Sequence, residues 1–129
     1  MSTALPYDSR IFPLAPPEMS LRLYDLVNHA LHHGQLKKGV NESLKAVQRD
    51  RADLVLIAAD ADPISVVLEV PTESEAKVVT YVFVPSKDML GRACGLSSPV
   101  VCCTILADQK WPLRGTVANF KTEVEKLLI

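Results

Sequence analysis

No apolar run in this sequence approaches the ~20 residues that a membrane-spanning helix needs. The first thirty residues carry no basic patch followed by an apolar stretch, so a secretory leader is not expected either. Cysteine is scarce and badly arranged for cross-linking: Cys94, Cys102 and Cys103 are an odd number, and two are adjacent. That argues against a disulfide framework and fits a reducing compartment. Charge imbalance is lacking too, since a net charge of −1 speaks against indiscriminate binding to nucleic acid. There is no G-x-G-x-x-G run, no phosphate-binding loop with G-K-[ST], no internal repeat and no low-complexity tract.

What remains is the material of one domain. The 129 residues are 48% hydrophobic and 22% charged, the balance of a soluble globular chain rather than a disordered or polybasic one. At that length folding buries roughly two-thirds of the extended chain's surface, enough for a core without disulfides or metal. Residues 1–17 contain Pro6, Pro13, Pro16 and Pro17 and no helical period, so they read as an extended strap, with Tyr7, Ile11, Phe12 and Leu14 holding it to the body. Residues 18–129 form the single domain that follows. Leu23, Tyr24, Val27, Ala30 and Leu31 recur at helical spacing from Glu18 to His33, and Gly34 is a stop. A second helix is predicted from about Asn41 to Arg51, with Val40, Leu44 and Val47 inward. The unbroken apolar run Leu54 to Ala59 predicts a strand buried on both faces. Asp62-Pro63 reads as an N-cap with proline in the first turn of a helix through Val66, Val67 and Leu68.

Thr80 to Val84 is a second buried strand, ended by Pro85. Ser86-Lys87-Asp88 opens a short helix that turns Leu90 and Cys94 to the core and stops at Gly95. Pro99 to Ala107 is a third strand, and Leu113, Val117, Phe120, Val124 and Leu127 mark a closing amphipathic helix. Apolar strands separated by helices imply an α/β fold, a three-layer α-β-α sandwich around a small mixed sheet. In such folds ligands gather where loops and helix N-termini meet at one end.

Catalytic and metal chemistry find little support. His29 and His33 share a helix face, but zinc needs a third or fourth ligand, and the helix-borne metalloprotease motif needs an acid between its histidines. A solvated rim accounts for them. Asp60 and Asp62 follow a buried strand, where an α/β hydrolase often keeps a carboxylate, yet no nucleophile motif accompanies them and capping explains Asp62. Cys102 and Cys103 point to opposite faces of a strand and cannot share a metal; Cys94 reads as core.

The segment from Gly34 to Arg51 is different. Lys37, Lys38, Lys45, Arg49 and Arg51 face only Glu42 and Asp50, a net of +3 that leaves −4 for the rest of the chain. Gly39 permits close approach of a ligand backbone, and the helix start behind it offers free N–H groups to an anion. Glu42 is the informative residue. A carboxylate among cations repels phosphate but accepts from the N1–H and N2–H₂ donors of guanine, edges reachable where RNA departs from a regular helix. The plainer reading stands beside it: an ordinary helix start with Glu42 paired to Lys45 or Lys38.

Gly39-Val40-Asn41-Glu42-Ser43-Leu44-Lys45 resembles the G-x-N-E-x-x-K signature of the kink-turn-binding ribosomal family often called L-seven-Ae. Three further blocks keep the family's order: Leu56 to Pro63, Tyr81 to Lys87, and Leu90-Gly91-Arg92-Ala93-Cys94-Gly95. The strap, the last block and the terminal Leu127-Leu128-Ile129 are most similar to the eukaryotic branch, shared by box C/D small nucleolar particles and the spliceosomal tri-snRNP. The resemblance implies a non-catalytic protein without cofactor or metal, monomeric when free, that grips a kink-turn in snoRNA, snRNA or rRNA and nucleates assembly with other ribonucleoprotein proteins. A kink-turn is a sharply bent internal loop with tandem sheared G·A pairs and one base flipped out. The implied location is nucleus and nucleolus, or the cytoplasmic ribosome for a large-subunit member. Carried over by position, Asn41, Glu42 and Lys45 would read the G·A pairs, with Lys38 and Gly39 on the backbone and Gln35 and Arg49 flanking. Asp62, Val66 and Lys87 would line the flipped-base pocket, where the family more often has Glu and Ile at the first two. Leu96-Ser97-Ser98 stands where the eukaryotic branch usually reads Val-Ser-Arg, so Ser98 removes a cation and Leu96 enlarges the apolar contact.

Overall fold

The computed structural model describes residues 10–108 and 114–128. Its sheet has four strands, β1 (Leu36–Lys38), β2 (Ala52–Ala58), β3 (Thr80–Val84) and β4 (Cys102–Leu106), in the spatial order β1-β4-β2-β3. β4 runs antiparallel to both β1 and β2, while β2 and β3 are parallel, so the sheet is mixed. Helices α1 (Pro17–His32), α4 (Lys87–Ala93) and α5 (Arg114–Lys126) pack on one face, and α2 (Val40–Gln48) and α3 (Glu69–Ala76) on the other. Strand alternation feeds the two cores. Leu54, Leu56, Val82, Val84, Cys103 and Ile105 point to the α1/α4/α5 side, and Val55, Ile57, Phe83 and Cys102 to the α2/α3 side. The three-layer sandwich read from the sequence is therefore the observed fold. All three thiols are free and buried, and burial pushes Cys102 up to about 12.

The strap is anchored by backbone bonds to β3 as well as by the apolar side chains of Ile11 and Leu14. Phe83 N–H donates to the Pro13 carbonyl and Ala15 N–H to the Phe83 carbonyl, both at 2.8 Å, along the outer edge of β3. Ile11 is buried beneath it, but Phe12 is 52% exposed, contrary to expectation; Tyr7 lies outside the described residues.

Four helices end in one way. After α1, α2, α3 and α4 the chain makes paired Schellman bonds, with Gly34, Asp50, Val78 and Gly95 in the left-handed position. Gly34 and Gly95 announce this in the sequence; Asp50 and Val78 do not. That is why the predicted helix to Arg51 stops instead at Gln48; α3, which buries only Val70 and Ser74, carries no apolar stripe that the sequence could show. Val78 carries a β-branched side chain at φ +58 and is 92% exposed, a costly conformation with no compensating contact. Val78→Gly is expected to raise stability by about 1 kcal/mol and the melting temperature by about 3 °C in a thermal unfolding scan. A lowered melting temperature would show the strain account to be wrong.

Two other expectations are corrected. Asp62 caps no helix: Pro63 is extended (φ −74, ψ 152), and the chain makes a 3-10 turn over Ile64–Val67, with no side-chain cap, before α3 begins. The predicted strand from Pro99 shortens to Cys102–Leu106, because Val100 N–H donates to the Lys87 carbonyl instead of a ladder. Leu113 of the closing helix lies outside the described residues.

Candidate functional site

Strand direction decides which loops meet. Because β4 opposes β1 and β2, the C-terminal ends of β1, β2 and β3 and the N-terminal end of β4 lie along one rim of the sheet. Short bonds stitch that rim together. Gly39 N–H donates to the Cys102 carbonyl (2.7 Å), Ala58 N–H to Val101 (2.8 Å) and Ala59 N–H to Val84 (2.7 Å). Asp60 Oδ1 accepts from Lys87 N–H at 2.8 Å. Four stretches of chain, each singled out from sequence, thus converge: the start of α2, the segment after β2, the start of α4 and the loop before β4.

At the centre of the rim, Gly39 precedes α2 with φ +93, a conformation that disfavours a side chain, although a Cβ there would meet nothing within 4 Å. No side chain caps α2, and its first internal bond is Ser43 N–H to the Gly39 carbonyl. The N–H groups of Val40, Asn41 and Glu42 are accordingly without intrahelical acceptors, at the positive end of the helix dipole and beside open space. Ser43, Ala46 and Val47 are buried, which turns Asn41, Glu42, Lys45 and Arg49 outward. Glu42 Oε2 and Lys45 Nζ lie 3.5 Å apart with both side chains about half exposed, so the pair contributes at most about 1 kcal/mol. The plain pairing exists, and it is too weak to withdraw the carboxylate from a ligand.

The remaining predicted residues divide. Asp62 and the half-exposed Val66 project from the segment after β2, Lys87 opens α4, and Leu96, Ser97 and Ser98 form an exposed loop against α4. No hydrogen bond or ion pair joins Asp62, Val66 and Lys87 among the described residues; they share the rim only. Gln35 lies at the opposite end, its carbonyl accepting from Leu106 N–H and its Nε2 donating to Asp108 Oδ2 at 3.3 Å. Lys38 is on the face away from α2. It pairs in register with Cys103, and it helps, after a hydrogen bond from Cys103, to hold the Cys94 thiol below its usual range.

The residue on the α2 face is Lys37, which sequence reasoning counted only as charge. Lys37, Glu42, Lys45, Ala46, Arg49, Arg51 and Leu106 line a shallow cavity of about 90 Å³ beside β1. A three-residue strand is too short to show alternation, so nothing in the sequence separated Lys37 from Lys38. Of the two carboxylates after β2, Asp60 has a structural role, its Oδ1 accepting from the N–H at the start of α4. His32 and His33 bond through Nδ1 to the carbonyls four residues back, and among the described residues no three His, Cys, Asp or Glu side chains converge on a metal position.

Comparison with known proteins follows the same lines. Residues 22–111 match the family described as ribosomal protein L7Ae/L30e/S12e/Gadd45. The chain is 41% identical over 120 residues to the NHP2-like protein 1 homolog of Drosophila melanogaster, covering 93% of this chain and 94% of that one. It is 43% identical over 120 residues to the small nuclear ribonucleoprotein associated homolog 13 of Caenorhabditis elegans, with the same coverage. Among solved structures, the Giardia lamblia 15.5kD RNA binding protein superposes with a TM-score of 0.88 at 45% identity, over 93% of this chain and 98% of that one.

Proposed function

This chain belongs to the ribosomal protein L7Ae/L30e/S12e/Gadd45 family, and from that premise we propose that it is a non-catalytic RNA-binding protein that recognises kink-turns and nucleates ribonucleoprotein assembly. The observation that carries this is the uncapped start of α2. Gly39 is open above, three N–H groups have no intrahelical acceptor, and Asn41, Glu42 and Lys45 stand on the exposed face immediately behind. Backbone N–H groups and cations fix a phosphate path, while Asn41 and Glu42 read base edges. Sheared G·A pairs display guanine donors that a carboxylate accepts. Val66 and Leu96, exposed apolar groups on the same rim, offer contact to a flipped base, with Asp62 and Lys87 as its polar partners.

The names of the relatives, one of them associated with small nuclear ribonucleoproteins and one RNA binding, favour this reading over a ribosomal role and over hydrolysis at Asp60 and Asp62. On this reading the free protein is a monomer, and it works in nuclear and nucleolar particles among other ribonucleoprotein proteins. The test is direct. A fluorescent RNA with a bent G·A-containing loop should be captured about a hundredfold or more tightly than a plain duplex of equal length in moderate salt. Equal capture of the two would end the proposal.

A further inference from the structure

Of the nine prolines in the chain, only Pro99 follows a serine or threonine. Ser98-Pro99 belongs to the loop seated on α4, where the consecutive residues from Gly95 to Pro99 are all exposed. The loop is pinned at its ends, by Leu96 N–H to the Gly91 carbonyl (3.0 Å) and by Val100 N–H to the Lys87 carbonyl (3.1 Å). Between the pins neither Ser97 nor Ser98 makes a hydrogen bond, through backbone or hydroxyl, among the described residues. The Ser98 hydroxyl is presented on a held, outward turn and serves nothing in the fold. Pro99 brings no N–H to the next position, so a catalytic cleft that receives this segment must take an apolar ring where other sequences bring a donor. Position adds a consequence. The Cys102 carbonyl, four residues on, accepts from Gly39 N–H at 2.7 Å, and four residues of chain span at most about 14 Å. Any charge placed on Ser98 therefore acts beside the uncapped start of α2.

We infer that Ser98 is the phosphorylation site of a proline-directed serine/threonine kinase, and that its phosphate releases RNA from the rim. In the step, Ser98 Oγ attacks the γ-phosphorus of magnesium-bound ATP and the bond from that phosphorus to the β–γ bridging oxygen breaks. ADP leaves, and the hydroxyl proton passes to the kinase's catalytic carboxylate. The product carries about −1.5 to −2 charges at pH 7 where the serine carried none. The rim draws phosphate through free N–H groups and cations, so a fixed dianion beside them repels the same ligand. The modification follows from the exposed Ser98-Pro99 turn alone; its effect on RNA rests on the RNA-binding reading and adds regulation to it.

The experiment treats the full chain and Ser98→Ala with a purified proline-directed kinase and ATP, reads phosphate by intact mass and peptide mapping, and titrates bent-loop RNA. Each protein is compared with itself before and after treatment, so any effect of the substitution on binding cancels. The parent should gain a single phosphate, mapped to Ser98, and Ser98→Ala none. Phosphorylated parent should hold the bent RNA about tenfold or more weakly at low salt, with a smaller loss at high salt, and a phosphatase should restore it. Treated Ser98→Ala should bind as it did untreated. No phosphate on Ser98, or equal uptake by Ser98→Ala, removes the site. Complete phosphorylation with capture unchanged removes the switch. If the untreated parent holds bent RNA no better than a plain duplex, the RNA-binding reading and the release fall together, while the mass measurement still decides the site.

Discussion

Glu42→Ala should abolish the preference for a G·A-containing bend over a scrambled loop, with loss on the specific RNA and none on the other. The sign separates base reading from charge. Removing an acid from a basic surface raises its attraction for any phosphate, and the Lys45 ammonium, 3.5 Å away, is released as well. Scrambled RNA should therefore bind as well as before or slightly better. The specific complex instead loses a carboxylate accepting two guanine donors, and those donors are left buried without acceptors. Discrimination of about 1–3 kcal/mol belongs to such a bidentate pair, so specific affinity falls by about one to two orders of magnitude. Glu42→Gln should do nearly as badly, because its amide turns a donor towards donors. The measurement is a pair of titrations at one fixed salt concentration. Discrimination that survives in Glu42→Ala would mean the carboxylate only holds Lys45.

Gly91→Ala is expected to cost about 3 kcal/mol of stability, which is opposite in sign to what helix propensity predicts. Gly91 is buried inside α4, where alanine ordinarily gains about 1 kcal/mol over glycine. A Cβ here would stand 2.1 Å from the Ser98 carbonyl oxygen and 3.1 Å from the Pro99 Cα. Those are backbone atoms, so the clash is relieved only by lifting the loop that carries Leu96, Ser97 and Ser98. A melting temperature about 10 °C lower follows, together with weaker capture of the bent RNA, since the lifted loop belongs to the proposed interface. A melting temperature equal to the parent's would mean the loop is not seated on α4 as described.

Much of this was legible in the chain because burial leaves a periodic trace within each element. The run Leu54 to Ala59 and the three-four spacing of Val117, Phe120 and Val124 report which faces are dry, and Ser86 three residues before Met89 reports a cap that the structure contains at 3.0 Å. The same logic failed where geometry ran against residue preference. Val78 occupies a glycine position, and Leu36–Lys38 is a strand too short to alternate visibly. Asp62-Pro63 carries the local marks of a helix start on a chain still extended there.

Periodicity and the G-x-N-E-x-x-K run were sufficient for the layer architecture and for placing Asn41, Glu42 and Lys45, the proposed RNA contacts, at the head of a helix. Both are properties of neighbours in sequence. Which ends of the strands lie together, which face Lys37 takes against Lys38, and that Arg51 joins Arg49 beside one cavity depend on β4 inserting between β1 and β2. That pairing is made between residues far apart in the chain, through backbone bonds that are the same for every side chain, so only the folded sheet decides it.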